Sequence, residues 1–507
     1  MGNPIASSSK SLHLCSLVLA SLILFSLVCD GDAGVDRKLI AAESHDFHSI
    51  KVSSLMPDSV CSSQVCLNYL VVDAKDKVHS PCNHRSLHPT LSSSSLKVVH
   101  RHGPCHKSTQ TIKESPSASQ ILAHDESRVH SINSRTAFDS AKDTFRSSKA
   151  ASIPTKSGSS LGAGNYIVTV GLGSPKKDLS LIFDTGSDLT WTQCEPCVGS
   201  CYNQADPIFN PSLSTAYANV SCHTPYCNQL SSATGNSPGC RGTTCIYAIQ
   251  YGDQSFSIGY FAKDTLTLSP TDVINNFYFG CGENNQGLFG QTAGLIGLAR
   301  DKLSIVSQTS MKYGQVFSYC LPSRSSGNGY LTFGKSGVSK NVQFIPFGNS
   351  KGTTFYSIDI LGIYVGGRKL PISPTVFSTA GSIIDSGTVI TRLPPAAYTT
   401  LRDTFRKLMS SYPTGKPISI LDTCYDFSKY KTARVPTISF LFSGNKKIDI
   451  AASGILYTVS SSQTCLAFAP NSDPSDLAIF GNVQQKTLQV VYDVAGGKLG
   501  FGPQGCA

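Results

Sequence analysis

Histidine is almost absent from the sequence after residue 130. Eleven of the twelve histidines lie before residue 131, and His223 is the single one that follows. Hydrolases that use a Ser-His-Asp or Cys-His mechanism need an imidazole beside the nucleophile, so either mechanism would have to depend on His223. That residue lies in a cysteine-rich segment, between Cys222 and Cys227. The distribution therefore argues against both mechanisms.

Charge is also scarce. Charged residues make up 15% of the sequence, against roughly 25% in an average globular protein. The net charge of +10 is spread along the chain, with 17 Lys/Arg and 13 Asp/Glu in residues 1–160 and 25 and 19 in residues 161–507. A nucleic-acid-binding surface would need a concentrated basic stripe, and the sequence has none. Short β-branched runs between Gly, Ser and Thr instead predict a fold rich in strands and turns.

Long apolar runs are lacking as well. The apolar stretch Leu12–Val28 has 17 residues and contains serines, which makes it short for a membrane span. It follows Lys10 and precedes the first acidic residue, Asp30, which is the pattern of a secretory signal over residues 1–29. A chloroplast transit peptide is the alternative, but no arginine occurs before Arg37. We therefore expect a secreted, extracellular or vacuolar protein.

What is present is a repeated motif. The segment Leu181–Ser187 ends in Asp-Thr-Gly-Ser, and Ser382–Thr388 ends in Asp-Ser-Gly-Thr. Each is followed roughly 100 residues later by an apolar segment that contains a glycine, Gly294–Leu298 and Leu477–Gly481. Two halves that share this order predict a duplicated lobe with pseudo-twofold symmetry.

The repeat brings two carboxylates into equivalent positions, Asp184 and Asp385. Two carboxylates a few ångströms apart share one proton, because like charge keeps them from ionising together. One then serves as a base that activates water, and the other serves as an acid. The neighbouring residues have supporting roles: tight turns, hydrogen bonds to the opposite loop, and hydrogen bonds to the carboxylates. The tight turns are expected at Gly186 and Gly387. Thr185 and Ser386 would hydrogen-bond to the opposite loop, and Ser187 and Thr388 would hydrogen-bond to the carboxylates.

These motifs resemble those of the pepsin-like aspartic peptidases. The resemblance is closest to the plant branch that contains the nepenthesins and the chloroplast nucleoid DNA-binding proteases. It rests on the two Asp motifs and on Gly171–Pro175, Ile182–Trp191 and Tyr251–Ser255, and it covers about residues 161–507. It implies an all-β, bilobal fold with a catalytic cleft between two pseudo-symmetric lobes. It also implies an aspartic endopeptidase made as a zymogen, in which Asp184 and Asp385 form the catalytic pair.

The same resemblance assigns further residues. Tyr251 corresponds to the tyrosine of the flap that closes over substrate, and Trp191, the only tryptophan, to the indole that meets it. The branch usually has Tyr-Gly-Asp-Gly-Ser at the flap, whereas this chain has Gln254 at the second glycine position. A disulfide between Cys424 and Cys465 is implied in the second lobe.

The expected organisation follows from these assignments. The polar stretch 116–146 has a helical character, and short alternating strands begin at Tyr166–Val170. We expect a signal peptide at residues 1–29 and a prosegment at 30–155. A first catalytic lobe with a cysteine-rich insertion follows at 161–340, and a second catalytic lobe at 350–507. The linker Ala150–Gly164 is rich in small residues, which suits an exposed processing site.

Cysteine usage agrees with a secreted protein. Of 18 cysteines, four lie between Cys61 and Cys105 and twelve from Cys194 onward, and even counts suit closed sets of disulfides. The spacing from Cys194 to Cys201 also suits a zinc site, which is the less favoured reading. The sequon at Asn219 predicts one glycosylation site.

Partners and cofactors are expected from the resemblance. It implies protein or peptide substrates, a monomer, and neither a metal nor an organic cofactor. The C-terminus, Gly505–Ala507, carries no apolar tail, so we expect no stable membrane anchor.

Two other functions stay open from the sequence. Some plant relatives of this fold have lost a catalytic Asp and act as inhibitors, although both motifs are complete here. A DNA-binding protease of the chloroplast nucleoid is the second alternative.

The histidines before residue 131 suggest an acid switch. If the prosegment covers the cleft through its basic residues, protonation of these histidines would change its docking as the pH falls through about 6.5. Pairing of a prosegment Lys or Arg with the dyad would weaken at still lower pH. The alternative is that the histidines only decorate a polar segment.

Overall fold

The computed structural model describes residues 45–55, 94–101, 103, 105, 116–142 and 166–506, without 252–253, 288, 325–326, 350–353 and 461. The side chains of the long prosegment helix are described as far as residue 136. The leader expected at residues 1–29 and the linker expected at 150–164 lie outside the described residues. No helix in the described part of the chain is both long and apolar enough to cross a membrane.

The structure is mostly strand. Three elements of the expected prosegment are β1 (Phe47–Lys51), β2 (Ser95–His100) and α1 (Ala118–Lys142). The first lobe contains β3 (Tyr166–Leu172), β4 (Lys177–Asp184), β5 (Trp191–Gln193), β6 (Ala218–Asn219), α2 (Pro225–Asn228), α3 (Leu230–Thr234), β7 (Gly239–Arg241), β8 (Thr244–Gln250), β9 (Phe256–Ser269), β10 (Asp272–Gln286), β11 (Gly294–Gly297), α4 (Ile305–Gln308), α5 (Ser310–Tyr313), β12 (Val316–Cys320) and β13 (Asn328–Phe333).

The remaining elements belong mainly to the second lobe. They are β14 (Gln343–Pro346), β15 (Tyr356–Ser357), β16 (Ile360–Val365), β17 (Arg368–Lys369), α6 (Thr375–Ser378), β18 (Ser382–Ile384), β19 (Thr391–Leu393), α7 (Pro395–Leu408), β20 (Thr414–Gly415), β21 (Cys424–Tyr425), β22 (Thr432–Pro436), β23 (Ile438–Phe442), β24 (Lys446–Asp449), α8 (Ala452–Ile455), β25 (Leu456–Thr458), β26 (Thr464–Leu466), β27 (Phe468–Pro470), β28 (Ala478–Phe480), α9 (Asn482–Gln485), β29 (Gln489–Asp493) and β30 (Lys498–Gly502).

The predicted duplication is visible in the strand pairing. In the first lobe β4 pairs with β11 in parallel, with Asp184 opposite Gly297. In the second lobe β18 pairs with β28 in parallel, with Ile384 opposite Phe480. Both pairs are buried on both faces, as the near-continuous apolar sequence of parallel strands predicts. The expected all-β, bilobal fold is confirmed.

The segment that we expect to be the prosegment is built into this architecture. The largest sheet runs β14-β30-β29-β12-β13-β2-β3-β4-β11-β5-β10-β9-β8-β7, and β2 lies between β13 and β3. Leu96 is opposite Leu331 on one side, and Val98 is opposite Val168 on the other. At the edge of the second lobe, β1 pairs with β22. The expected prosegment therefore contributes strands to two sheets.

Helix α1 fits the expected polar helical stretch. It begins with a reciprocal cap, in which Ser117 Oγ accepts from the Gln120 N–H and Gln120 Oε1 accepts from the Ser117 N–H. Leu122, Val129 and Ile132 are buried, and their spacings of seven and three residues place them on one face. That face packs on the second lobe, where Leu122 meets Val389 and Ile390, while Val129 and Ile132 meet an apolar cluster of Phe355, Ile383 and Ile479.

Six disulfides close the set of twelve cysteines from Cys194 onward. The pairs are Cys194–Cys281, Cys197–Cys201, Cys222–Cys240, Cys227–Cys245, Cys320–Cys506 and Cys424–Cys465. The thiols that a zinc site would have used are therefore bonded in disulfides. The sequon residue Asn219 lies on an exposed position of β6.

Candidate active site

Asp184 and Asp385 lie at equivalent ends of two buried strands. Asp184 closes β4, and Asp385 directly follows β18. Both carboxylates are shielded from solvent, with 1% and 0% of their surface exposed. The parallel partner strands fix the backbone at this point, since Leu298 N–H donates to Asp184 O and Asp385 N–H donates to Phe480 O. The duplicated strands thus bring both carboxylates to one place.

The residues after each aspartate hold its carboxylate in the same way. Asp184 Oδ1 accepts from the Gly186 N–H at 3.0 Å, and its Oδ2 accepts from the Ser187 hydroxyl at 2.5 Å. Asp385 Oδ1 accepts from the Gly387 N–H at 3.2 Å, and its Oδ2 accepts from Thr388 Oγ1 at 2.6 Å.

The two loops are also joined to each other. Thr185 Oγ1 accepts from the Ser386 N–H at 2.8 Å, and Ser386 Oγ accepts from the Thr185 N–H at 3.1 Å. These are the cross-loop hydrogen bonds anticipated from the sequence. Glycine is required beside them, because a Cβ on Gly186 would lie 2.9 Å from Asp385 Oδ1. The arrangement locks two carboxylates at close range.

An arginine of α1 binds both carboxylates. Arg128, in the middle of α1, donates from Nη2 to Asp184 Oδ1 at 2.6 Å and to Asp385 Oδ1 at 2.9 Å. Its Nη1 donates to Asp184 Oδ2 at 3.1 Å, and its Nε donates to Asp385 Oδ2 at 2.8 Å. The side chain of Arg128 is only 14% exposed. The guanidinium therefore fills the position where a reacting group would meet the dyad.

The electrostatics of the pair follow from this contact. Burial alone would raise the pKa of Asp385, but the Arg128 guanidinium and the hydrogen bonds to Thr388 and Gly387 outweigh it and hold that pKa below its ordinary value. The two carboxylates in turn raise the pKa of Arg128, despite the opposing effect of its burial. Each charge thus stabilises the charged form of the other.

Two further carboxylates of α1 bind the second lobe. Asp125 accepts from the backbone N–H groups of Val389 and Ile390, at 2.5 and 3.0 Å. It also forms an ion pair with Arg392 at 3.0 Å, and Glu126 binds the same guanidinium at 2.9 Å. The helix is therefore attached to the segment that directly follows the Asp385 loop.

The hairpin that we expect to form the flap belongs to the first lobe. Strands β8 and β9 form a hairpin, and Tyr251 at its tip accepts a hydrogen bond from Trp191 Nε1 at 2.8 Å. Gln254 has a φ of +65°, in the region that favours glycine. The chain thus retains the left-handed turn at a position where the plant branch has glycine.

Sequence reasoning did not single out Arg128, Asp125 or Arg392. A basic prosegment residue at the dyad was expected in general, but the segment 116–146 holds three arginines and one lysine. The signal that distinguishes Arg128 is its position between Leu122 and Ile132 on the buried face of α1. Asp188 was also missed, and its burial raises its pKa to about 7.

Paired strands that end in two linked, buried aspartates, with a tyrosine-bearing hairpin above them, define the class of pepsin-like aspartic peptidases. Family models agree with this class. A xylanase inhibitor N-terminal domain model matches residues 166–335, and the corresponding C-terminal domain model matches residues 355–503.

Individual relatives narrow the assignment. The chain is 53% identical to an aspartyl protease family protein of Arabidopsis thaliana over 98% of this chain and 99% of the relative. It is 39% identical to the aspartic proteinase nepenthesin-2 of Nepenthes gracilis, covering 68% of this chain and 78% of that one. The protein therefore belongs to the plant family of pepsin-like aspartyl proteases that includes the nepenthesins.

Solved structures share the fold at greater distance. The crystal structure of soybean basic 7S globulin aligns with a TM-score of 0.54 at 18% identity, covering 67% of this chain and 91% of that one. The structure named edgp gives 0.55 at the same identity and coverage. These likenesses support the architecture alone.

Proposed function

We propose that this protein is a secreted aspartic endopeptidase made as an inactive precursor, with Asp184 and Asp385 as its catalytic pair. The observation that carries the proposal is the set of four hydrogen bonds, 2.6–3.1 Å long, that one buried guanidinium makes to both carboxylates. One guanidinium can bind both carboxylates only because the two carboxylates converge at one point. Their convergence is what water-activating acid–base catalysis needs.

The chemistry begins when α1 leaves the cleft. One carboxylate then takes a proton from a water molecule, which attacks the peptide carbonyl carbon. The other carboxylic acid donates a hydrogen bond to the developing oxyanion, and a proton passes to the leaving amine. Gly186, Ser187, Gly387 and Thr388 hold the two carboxylates in register throughout. This division of roles is the one known for aspartic-protease dyads.

Substrate would lie between the dyad and the flap. The hydrogen bond from Trp191 to Tyr251 holds the tyrosine at the edge of the cleft. Val129 and Ile132 of α1 cover an apolar surface of Phe355, Ile383 and Ile479 beside Asp385. We infer that peptide substrates bind this surface after activation, and that one such chain works as a monomer.

We infer that maturation cuts the chain between the end of α1 at Lys142 and the start of β3 at Tyr166. A cut there breaks the covalent link between the C-terminal end of α1 and β3, so that α1 can leave the cleft. The prosegment and lobe boundaries proposed from the sequence, at residues 155 and 161, both lie in this interval.

The deciding experiment is acid-activated proteolysis of a denatured protein by the purified precursor, with and without pepstatin. Asp184→Asn and Asp385→Asn should each reduce the rate by at least about a thousandfold, since each removes a general acid–base group. Wild type should lose activity when pepstatin is added.

The control is Asp178→Asn, which changes an exposed carboxylate on the same strand as Asp184. It should leave the rate unchanged. If the precursor stays inert after α1 is removed by an added protease, a binding function of the inhibitor type replaces the proposed one.

A further inference from the structure

The side chain of Asp125 on α1 enters a polar pocket of the second lobe that is formed by Val389, Ile390 and Arg392, here called the socket. Asp125 is fully buried, and three donors converge on its two oxygens. The Val389 N–H binds Oδ1 at 2.5 Å, while the Ile390 N–H and Arg392 Nη1 bind Oδ2 at 3.0 Å each. A carboxylate accepts all three bonds, whereas an amide of the same shape would turn its NH₂ group towards a donor.

The donors belong to the part of the chain that stays after activation. Val389 and Ile390 follow the Asp385 loop, and Arg392 lies in β19, with 1% of its side chain exposed. Both ion pairs of Arg392 among the described residues are made with prosegment carboxylates, those of Asp125 and Glu126. Arg392 Nε has no hydrogen-bond partner in the described structure. The enzyme part thus supplies the donors, and the prosegment supplies the acceptors.

Departure of α1 leaves this socket without its anion. Two backbone N–H groups then lose their acceptor, and the Arg392 guanidinium loses both carboxylates and keeps its hydrogen bond to the Ile390 carbonyl at 2.9 Å. Unpaired polar groups are costly in a partly buried place. Asp125 in the socket and Arg128 on the dyad are three residues apart on α1, so the socket lies about one helical turn from the dyad, within reach of a bound peptide. A substrate carboxylate would restore the lost hydrogen bonds.

We propose that Arg392, together with the backbone N–H groups of Val389 and Ile390, forms a subsite that binds an Asp or Glu side chain of the substrate. This inference rests on the proposed endopeptidase function and on removal of α1 from the cleft. It assigns the enzyme a preference for an acidic residue at one position near the scissile bond.

Burial affects the socket differently before and after activation. In the precursor, burial raises the pKa of Asp125 against the pull of Arg392 and the two N–H groups. In the open cleft, water would reach the socket and reduce the penalty that burial places on a charged carboxylate, while the three donors stay in place. The remaining polar residues that line the adjoining cavity include Asn471, Ser472 and Asp476. Asp476 accepts a hydrogen bond from the Asp473 N–H, and that contact holds its carboxylate.

The test uses the activated wild-type enzyme and a set of internally quenched peptides. One Glu is moved through each position on both sides of the scissile bond, and each peptide has a Gln twin. The assay runs at about pH 5.5, where a glutamate side chain is mostly ionised. At one position, or at two neighbouring ones, kcat/KM should be about tenfold higher for Glu than for Gln, as expected for hydrogen bonds to a charged group.

Variants then identify the residue responsible. Arg392→Gln should bring the Glu/Gln ratio to about one while Gln peptides are still cut, and Arg392→Lys should keep part of the preference. Arg406→Gln is the matched control, because Arg406 is a half-exposed cation of the same lobe that pairs with Asp422. It should leave the ratio as in wild type.

The outcomes separate this subsite from the proposed function. Cleavage of Gln peptides with a ratio of one at every position in wild type would overturn the subsite and leave the endopeptidase in place. A ratio that persists in Arg392→Gln would also overturn it. Absence of cleavage of any peptide would overturn the proposed function itself. If Arg392→Gln does not fold, the wild-type ratio and the Arg392→Lys variant still decide.

Discussion

The two aspartate loops are nearly identical in their internal bonds and differ in how the prosegment contacts them. Each carboxylate accepts from a glycine N–H and from a hydroxyl three residues further on, and each loop donates one backbone N–H to the other. Arg128 binds both. Asp125, Glu126 and Asn133 of α1, however, bind residues of the second lobe.

The difference separates two requirements. Catalysis needs equivalent carboxylates that share a proton, and the duplicated loops supply that symmetry. Inhibition needs a helix that docks in one orientation, and an asymmetric set of contacts supplies that. Helix α1 therefore binds residues in which the second lobe differs from the first, such as Arg392. It also neutralises the aspartate pair, to which both lobes contribute equally.

The largest expected effect comes from removing the contact that spans both loops. Arg128→Gln leaves two buried carboxylates without their cation, and loss of one partner of a buried ion pair costs about 3–5 kcal/mol. The uncut precursor should then bind pepstatin at about pH 5 at least a hundredfold more tightly than wild type does, since each tenfold is about 1.4 kcal/mol.

Calorimetric titration of the uncut precursor measures this affinity. Arg135→Gln is the control, because Arg135 lies on the same helix but places its guanidinium over the ring of Phe355 in the second lobe, 5.1 Å from the ring centroid. Its effect should be much smaller. Equal affinities for Arg128→Gln and wild type would show that Arg128 does not hold the cleft closed.

A smaller effect tests the symmetry of the loops. Thr185→Val and Ser386→Ala each remove one cross-loop acceptor and leave a buried N–H without its partner, which costs about 1–3 kcal/mol. The two variants should lower the melting temperature of the precursor by similar amounts, measured by scanning calorimetry. A large difference between them would mean that the loops are not equivalent.

The smallest expected effect concerns acid release. Burial, with the nearby charge of Arg101, lowers the pKa of His124 on α1 to about 4. A free helix takes up this proton near pH 6.5, so falling pH between about 6.5 and 4 favours the undocked helix. Docking is therefore strongest above pH 6.5 as far as His124 is concerned. His124→Gln removes this dependence.

The measurement is the pH midpoint of self-processing, which should move to lower pH in His124→Gln. His130→Gln is the control on the same helix, because His130 is exposed. The depressed pKa of Asp385 acts in the same direction at still lower pH, since its contribution to docking is lost once that carboxylate is protonated. A midpoint unchanged by His124→Gln would exclude the histidine switch at this position.

Much of the fold was predictable because its signals are local. The Asp-Thr-Gly-Ser and Asp-Ser-Gly-Thr motifs, and the apolar segments that follow them, locate both halves of the duplication. The helix expected within the polar stretch 116–146 is α1, which spans Ala118–Lys142. The disulfide partners of Cys194 and Cys320 did not follow from spacing, because they lie 87 and 186 residues away in the sequence.

The candidate site was predictable for the dyad and its hydroxyl neighbours, which are adjacent in sequence. Arg128 and Arg392 were not predictable as site residues. Each looks like an ordinary cation in its own segment, and only the docking of α1 on the second lobe brings Arg392 to Asp125 and Arg128 to the dyad.

Strand β2 has a consequence for what activation produces. It is paired along both edges, with β13 and with β3, so its removal would expose two rows of backbone donors and acceptors in the middle of a sheet. A cut after α1 frees the helix but leaves these hydrogen bonds intact. The first product of activation is then a nicked, two-chain particle, which runs as two bands on a denaturing gel and as one peak in size-exclusion chromatography.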